Sequence, residues 1–178
     1  MTSPTRTTSS PQGMAFINRA DAGHLAEDFA ELSGSRPWAD AMVAGRPYHS
    51  LDELLKKADA TLAAQDRILI AEAVKAHPPL GGRTRSGSRS EGEQSALTDS
   101  LGSAADELRE LNDRYIERHG HVFLLCAEGR GADEVLEAIR ARIGKDAETA
   151  WTETVEHLRR INRLRLVKYV EEIGEGNR

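Results

Sequence analysis

The stretch that decides the fold is DAETAWTETVEHLRRINRLRLVKYVEEI, which occupies residues 146–173 near the carboxyl end of the chain. Apolar residues recur in it every three or four positions, which is the spacing of one face of an α-helix. The inner face of this helix is predicted to carry Trp151, Val155, Leu158, Ile161 and Asn162. The stretch therefore predicts one long amphipathic helix as the last element of the chain.

The rest of the chain has the same helical character. Charged residues make up 30% of its 178 residues and aromatic residues only 4%, so Leu, Ile, Val and Ala must fill the core. Shorter helices are predicted to begin near Asp21, Trp38, Ser50, Asp66, Ser90 and Ala132. The segment 121–127 is short and apolar, and its pattern does not decide between strand and helix.

These elements predict an all-α fold, a compact single-domain bundle of about seven to eight helices. We assign residues 15–174 to this helical domain. Residues 1–14 are rich in Ser, Thr and Pro, and we expect them to form a disordered tail. Either Met1 or Met14 could be the natural start of the protein.

Charge and cysteine content narrow the function. The net charge of −5 argues against nucleic acid as a partner. Cys126 is the only cysteine, which permits no internal disulfide and disfavours a zinc site, so we expect no bound metal. No apolar stretch reaches the ~20 residues that cross a bilayer, and residues 1–14 lack the apolar region of a secretory signal. We therefore expect a cytoplasmic protein with no membrane partner.

His77 is the first candidate for chemistry. It lies at a predicted helix end, directly before Pro78, where unsatisfied backbone carbonyls favour a protonated imidazole. A histidine titrates near neutral pH, so it can give or accept a proton. The alternative is a histidine that only caps the helix, which is the commoner role for a lone histidine.

The predicted helix start near Ser90 is the second candidate. Ser90 and Glu93 have the spacing of a capping box, and Gln94 follows them. A helix N-terminus presents free amides that can bind an anion. At such a site Glu93 could be a base, an orienting carboxylate or only a capping partner. The Arg-rich stretch at 79–89 is either a solvated surface loop or a lid over an anionic ligand.

Arg165 is the third candidate. It follows Ile161 by four positions on the apolar stripe of the last helix, so we expect it to be buried and paired. The structural alternatives are a salt bridge or a side chain whose charged end reaches the solvent. The functional alternative is a bond to the carboxylate of a substrate, whose shape fits the guanidinium fork. Arg163 lies on the other side of the helix, and we expect it to be solvated. Together these residues favour cofactor-free acid–base chemistry on a small anion.

Eight short motifs also carry a family resemblance. They are Phe16-Ile17-Asn18, Arg36-Pro37-Trp38, Arg46-Pro47-Tyr48, Ala76-His77-Pro78, Ser90-Glu91-Gly92-Glu93-Gln94, Leu111-Asn112-Asp113-Arg114-Tyr115, Phe123-Leu124-Leu125-Cys126-Ala127 and Arg163-Leu164-Arg165-Leu166. In this order and spacing they make the chain resemble the 2-oxo-4-hydroxy-4-carboxy-5-ureidoimidazoline (OHCU) decarboxylases. The resemblance covers about residues 16–172.

The resemblance implies an all-helical, commonly homodimeric enzyme that uses no cofactor. Such an enzyme converts OHCU, a small anion, into S-allantoin and CO2 in urate degradation. The resemblance implies catalytic roles for His77, Glu93 and Arg165. The substrate contacts that it implies are made by Pro78, Ser90, Gln94, Phe123, Leu124, Leu125, Cys126 and Ala127. The alternatives are a related lyase that acts on another ureido acid and a non-catalytic helical interaction module.

Overall fold

The computed structural model describes residues 11–79 and 104–176. Within these two ranges all regular structure is helical, which confirms the predicted all-α class. The helices are α1 (Pro11–Arg19), α2 (Ala22–Ser33), α3 (Arg36–Ala44), α4 (Leu51–Ala63), α5 (Arg67–Ala76), α6 (Ala104–His119), α7 (Ala132–Ile143) and α8 (Ala147–Glu175). The chain divides into two units, one made of Met1–Gln65 with Asn162–Arg178 and the other of Asp66–Ile161.

The first unit is built on α2, α3 and α4, which pack in sequence. Asp21 and Ser35 cap the first turns of α2 and α3 by accepting hydrogen bonds from backbone N–H groups. Gly34 ends α2 in the left-handed conformation with φ 70°, which glycine adopts without strain. The fully buried side chains of this unit include Ile17, Leu25, Phe29, Leu32, Trp38, Met42 and Leu54.

The chain begins its described part with a helix that the sequence did not predict. We expected the first helix near Asp21, but α1 precedes it and includes Pro11 to Met14, the last four residues of the predicted tail. Gly13 explains the packing, because a Cβ there would lie 2.1 Å from the carbonyl oxygen of Val170. The Ser-, Thr- and Pro-rich composition suggested disorder, whereas the missing Cβ of Gly13 is what lets α1 approach α8. The rest of the predicted tail, residues 1–10, lies outside the described residues.

Two of the sequence motifs bond to each other across thirty residues. The Asn18 side-chain amide donates to the carbonyl of Tyr48 at 2.8 Å, and its oxygen accepts from the Tyr48 backbone N–H at 2.8 Å. Arg46 donates to the carbonyls of Ile17 and Ala20 at 3.0 and 2.8 Å. The segment around Arg46, which includes a cis Arg46–Pro47 peptide bond, therefore anchors the end of α1.

The predicted capping box at Ser50 is only half formed. The Ser50 hydroxyl accepts from the Glu53 backbone N–H at 3.1 Å, as predicted. The Glu53 carboxylate, however, accepts from the backbone N–H of His49 at 2.7 Å, one residue earlier than a reciprocal capping box requires. The Glu53 bond differs from the predicted one by one residue, and α4 still begins directly after Ser50, as predicted.

The second unit has its own core around α6 and α7, which pack on each other. Its buried residues are Leu108, Leu111, Tyr115, Phe123, Leu125, Val135, Leu136 and Ile139. The segment 121–127, which the pattern left undecided, is irregular and lies between α6 and α7. Phe123, Leu124 and Leu125 are nonetheless buried, so this irregular segment is part of the core.

The later helix boundaries agree with the sequence pattern. Helices α7 and α8 begin and end within about two residues of the predicted positions. Helix α6 is described from Ala104 onward, so the predicted helix start at Ser90 falls outside the described residues. Among the helices that the structure describes, none is long and apolar enough to cross a membrane.

We predict that Gly13→Ala destabilises the protein by about 1–3 kcal/mol, because the added Cβ would push α1 away from α8. Urea unfolding measures this free energy. A frayed, unpacked α1 would instead gain roughly 0.5–1 kcal/mol from the loss of a helical glycine, so the sign decides the question. Gly144→Ala is the control, since its Cβ would lie 3.6 Å from the Ala141 carbonyl, an ordinary contact.

Candidate active site

His77 stands at the end of α5, where the sequence stops the helix. Asp66 begins α5 by accepting the Leu69 backbone N–H at 2.9 Å. Residue 77 is extended, with φ −85° and ψ 129°, because a following proline disfavours helical conformation at the residue before it. The side chain of His77 is buried, with 5% of the residue exposed. The end of α5 therefore holds a buried imidazole.

A hydrogen bond to the end of α5 helps to orient the His77 ring. Its Nδ1 lies 2.8 Å from the carbonyl oxygen of Ala73, which can only accept, so Nδ1 carries a proton. In the neutral ring the lone pair then belongs to Nε2. The bond to the helix end uses Nδ1, and a chemical role for His77 stays a prediction.

The segment Phe123 to Ala127 is held by side chains from two helices. Arg142 of α7 donates through Nη1 to the carbonyl oxygen of Leu124 at 2.8 Å. The backbone N–H of Cys126 donates to Nδ1 of His157, on α8, at 3.2 Å. Cys126 and Ala127 are half-buried, and the thiol of Cys126 is free. The irregular backbone is therefore fixed without a helical or strand ladder.

Arg142 carries a charge into the core of the second unit. Only 4% of the residue is exposed, and its guanidinium carbon lies 4.5 Å from the centre of the Phe123 ring. Burial lowers its pKa, and this effect is opposed by Tyr115 and Glu153. Nε of Arg142 is 3.0 Å from the Glu153 carboxylate, which also pairs with Lys145. The buried cation is thus neutralised by a carboxylate at the surface.

His157 is kept neutral by its surroundings. Burial and then the positive charges of Arg142, Arg160 and Arg130 lower its pKa to about 4. A neutral ring is what the Cys126 bond requires, because Nδ1 can accept a hydrogen bond from an amide only when it carries no proton itself. His157 therefore has Nε2–H and an Nδ1 acceptor at neutral pH.

Sequence reasoning passed over both of these residues. Arg142 follows Ile139 by three and Val135 by seven, so it continues the apolar stripe of α7 in the same way that Arg165 continues that of α8. His157 lies between the buried Thr154 and Ile161 on one face of α8. The same spacing argument that singled out Arg165 would have found them.

Arg165 belongs to the first unit and is buried, as predicted, with 5% of the residue exposed. Its Nη1 donates to the carbonyl oxygen of Leu32, at the end of α2, at 2.9 Å. Arg163 is one third exposed and pairs with Asp59 at 2.8 Å, so it is less solvated than we expected. The structural role of Arg165 is established by this bond, and its role in substrate binding stays a prediction.

The remaining predicted residues are placed only in part. Ser90, Glu93, Gln94 and the Arg-rich stretch from residue 80 lie outside the described residues. Pro78 directly follows His77 and is half-buried. Residues 11–79 and 104–176 contain no group of three or more His, Cys, Asp or Glu side chains that could hold a metal ion.

Comparisons with known proteins agree with the sequence motifs. The family model of the OHCU decarboxylases matches residues 18–167. A 2-oxo-4-hydroxy-4-carboxy-5-ureidoimidazoline decarboxylase of Haloferax volcanii is 30% identical over 155 residues, which are 85% of this chain and 92% of that protein. The uric acid degradation bifunctional protein PucL of Bacillus subtilis is 29% identical over 91% of this chain, although the match spans only 33% of PucL.

A solved structure gives the same answer. The crystal structure of an OHCU decarboxylase in the presence of (S)-allantoin matches with a TM-score of 0.72 at 27% identity, covering 82% of this chain and 98% of that one. Fold and relatives define a helical carboxy-lyase, and the alternative of a non-catalytic interaction module is set aside. The chain belongs to the OHCU decarboxylase family.

We predict that His157 makes stability depend on pH. Its pKa is about 4 in the fold and 6.5 in an unfolded chain, so below pH 6.5 the unfolded state takes up a proton that the folded state refuses. The free energy of unfolding should therefore fall as the pH falls from 7 to 5. Over this range it should fall by about 2 kcal/mol more in the wild type than in His157→Asn. Urea unfolding at several pH values measures both slopes, and parallel slopes would contradict the assignment.

Proposed function

We propose that this chain decarboxylates OHCU to S-allantoin and CO2, without a cofactor, in urate degradation. Family membership over residues 18–167 supports the reaction class and the substrate. The single observation that supports the chemistry here is the buried imidazole of His77, whose Nδ1 is committed to the carbonyl oxygen of Ala73. A histidine held in this way has one nitrogen for orientation and the other for proton transfer.

The proposed reaction breaks the bond between the ring carbon and the carboxylate. Arg165 and backbone amides near the predicted helix start at Ser90 hold the substrate and its carboxylate. CO2 leaves without the bonding electron pair, which is delocalised into the ring carbonyl, where hydrogen-bond donors stabilise the negative charge. A proton then adds to the ring carbon from one side, which gives the S configuration.

His77 transfers this proton, and Glu93 orients the imidazole of His77. Pro78, Ser90 and Gln94 contact the substrate beside His77. The segment Phe123 to Ala127 contacts the substrate ring through its backbone. Glu93 lies outside the described residues, so its part in the proposal rests on the family motif alone.

We also propose that the enzyme works in the cytoplasm as a homodimer. The homodimer rests on the family resemblance, and the cytoplasmic location on the lack of an apolar stretch of the ~20 residues that cross a bilayer. The net charge of −5 is in keeping with a small-molecule substrate and not with nucleic acid. The positive charge that an anionic substrate needs is then local, and Arg165 supplies it.

We predict that His77→Gln lowers kcat by about 10²- to 10⁴-fold, because Gln cannot carry the proton. OHCU is made fresh from urate with urate oxidase and hydroxyisourate hydrolase. Its loss is followed by absorbance, and the chirality of the allantoin by circular dichroism. Because OHCU also decays unaided, the informative signals are acceleration and optical activity.

His24→Gln is the control for this variant, because His24 is exposed and bonds only within the first turn of α2. It should turn over OHCU like the wild type. Near-normal turnover by His77→Gln would show that His77 is not the proton carrier. Racemic product at the background rate from the wild type would contradict the decarboxylase itself.

We predict that Arg165→Lys raises KM for OHCU roughly 10- to 100-fold, because an ammonium keeps the charge but loses the fork that binds a carboxylate. Arg163→Lys is the matched control two residues away, in a partly buried ion pair with Asp59. Melting temperatures separate binding from folding, since Arg165 also donates to Leu32. An unchanged KM in a folded Arg165→Lys protein would remove Arg165 from the substrate site.

A further inference from the structure

Two peptide groups on either side of Leu125 are each held by one buried side chain. Arg142 binds the carbonyl oxygen of Leu124 at 2.8 Å, and His157 binds the N–H of Cys126 at 3.2 Å. The first belongs to the peptide group 124–125 and the second to the peptide group 125–126. Leu125 itself is 4% exposed. No other residue of the segment has both of its flanking peptide groups bound in this way by side chains in the described second unit.

The geometry of the peptide bond then sets the directions of the backbone N–H and C=O of Leu125. Both peptide groups are trans, so in each one the C=O and the N–H point in opposite directions. The N–H of Leu125 therefore points away from Arg142, and the C=O of Leu125 points away from His157. Leu125 therefore directs one donor away from Arg142 and one acceptor away from His157.

A donor and an acceptor from one residue match a particular ligand chemistry. A ureide, whether a ureido group or a cyclic imide, carries an N–H next to a C=O and can bond to both groups at once. We propose that Arg142 and His157 are positioning residues that set the backbone of Leu125 for binding a ureide. This inference rests on the proposed function, in which the segment Phe123 to Ala127 contacts the substrate.

The cost of these two side chains supports a role beyond packing. An apolar residue of similar size would fill the place of Arg142 without the penalty of a buried charge. Arg142 instead keeps its charge near Phe123 and Glu153 and gives Nη1 to a backbone carbonyl. The charged guanidinium of Arg142 therefore contributes a hydrogen bond that fixes the direction of the Leu124 carbonyl.

The surroundings of His157 also favour this role. The charged groups that act on it are Arg142 of α7, Arg130 before α7, and Arg160 and Glu153 of α8. The three cations oppose protonation, and the single carboxylate favours it only weakly. His157 therefore stays an acceptor for the Cys126 N–H throughout the neutral range.

The test compares two variants of His157. Asn places an acceptor oxygen close to the position of Nδ1, whereas Leu fills a similar volume without an acceptor. His157→Leu should raise KM for OHCU about 10-fold and weaken inhibition by S-allantoin to the same extent, with kcat less affected. His157→Asn should restore both constants to within about 3-fold of the wild type. Equal constants in the two variants would overturn the proposal, because a purely structural histidine gives no such split.

A second pair covers the case in which His157→Leu fails to fold. Arg142→Lys keeps a donor for the Leu124 carbonyl, and Arg142→Met removes it. The Met variant should show the larger rise in KM. Equal KM values for two folded Arg142 variants would overturn the role of that residue.

A readout that needs no catalysis separates this inference from the proposed function. NMR of the ¹⁵N-labelled full chain follows the amide of Leu125 during titration with S-allantoin. In the wild type and His157→Asn this amide should shift on binding, and in His157→Leu the shift should require about 10-fold more S-allantoin. Equal titrations of all three proteins would overturn the positioning role. Lack of turnover by a wild type that still binds S-allantoin at Leu125 would overturn the proposed decarboxylation alone.

Discussion

Buried arginines that donate to backbone carbonyls hold the irregular parts of this protein in place. A guanidinium cannot be left unpaired in the interior, so it must find acceptors, and carbonyls at helix ends and in loops lack partners of their own. Arg165 binds the end of α2, and Arg142 binds the segment after α6. Arg46, partly buried, binds two carbonyls at the end of α1. In a chain with only 4% aromatic residues, these polar ties fix backbone that side-chain packing alone would leave loose.

The regular elements could be predicted because their signals are local. Caps, prolines and apolar spacing lie within one or two turns, so α4, α5, α7 and α8 begin close to their expected positions. Helix α1 could not be predicted in this way. Its reason is a contact between Gly13 and Val170, residues far apart in sequence, and a missing Cβ leaves no apolar pattern. The segment 121–127 was undecidable for a similar reason, since its bonds come from other helices.

Only some properties of the candidate site could be predicted from the sequence. Spacing alone placed Arg165 on a buried face, and the structure agrees. The same rule applied to α7 places Arg142 on the buried face of that helix. The ring orientation of His77 was not predictable, because it depends on which carbonyl lies nearest to Nδ1 once α5 has ended. The neutral state of His157 likewise arises from its burial and then from cations that lie on three separate stretches of sequence.

The hydrogen bonds from arginine to backbone carbonyls also determine which substitutions this sequence can tolerate. A carbonyl oxygen is the same in every amino acid, so Leu32, Leu124, Ile17 and Ala20 can each be exchanged for another residue of suitable size without losing the bond. Only the donor side of each pair is restricted in identity. A fold tied in this way tolerates extensive replacement of its acceptors, which fits a shared architecture at 27% identity to a solved relative. Within each pair, substitution of the arginine should therefore be poorly tolerated, whereas substitution of the residue that supplies the carbonyl should be tolerated well.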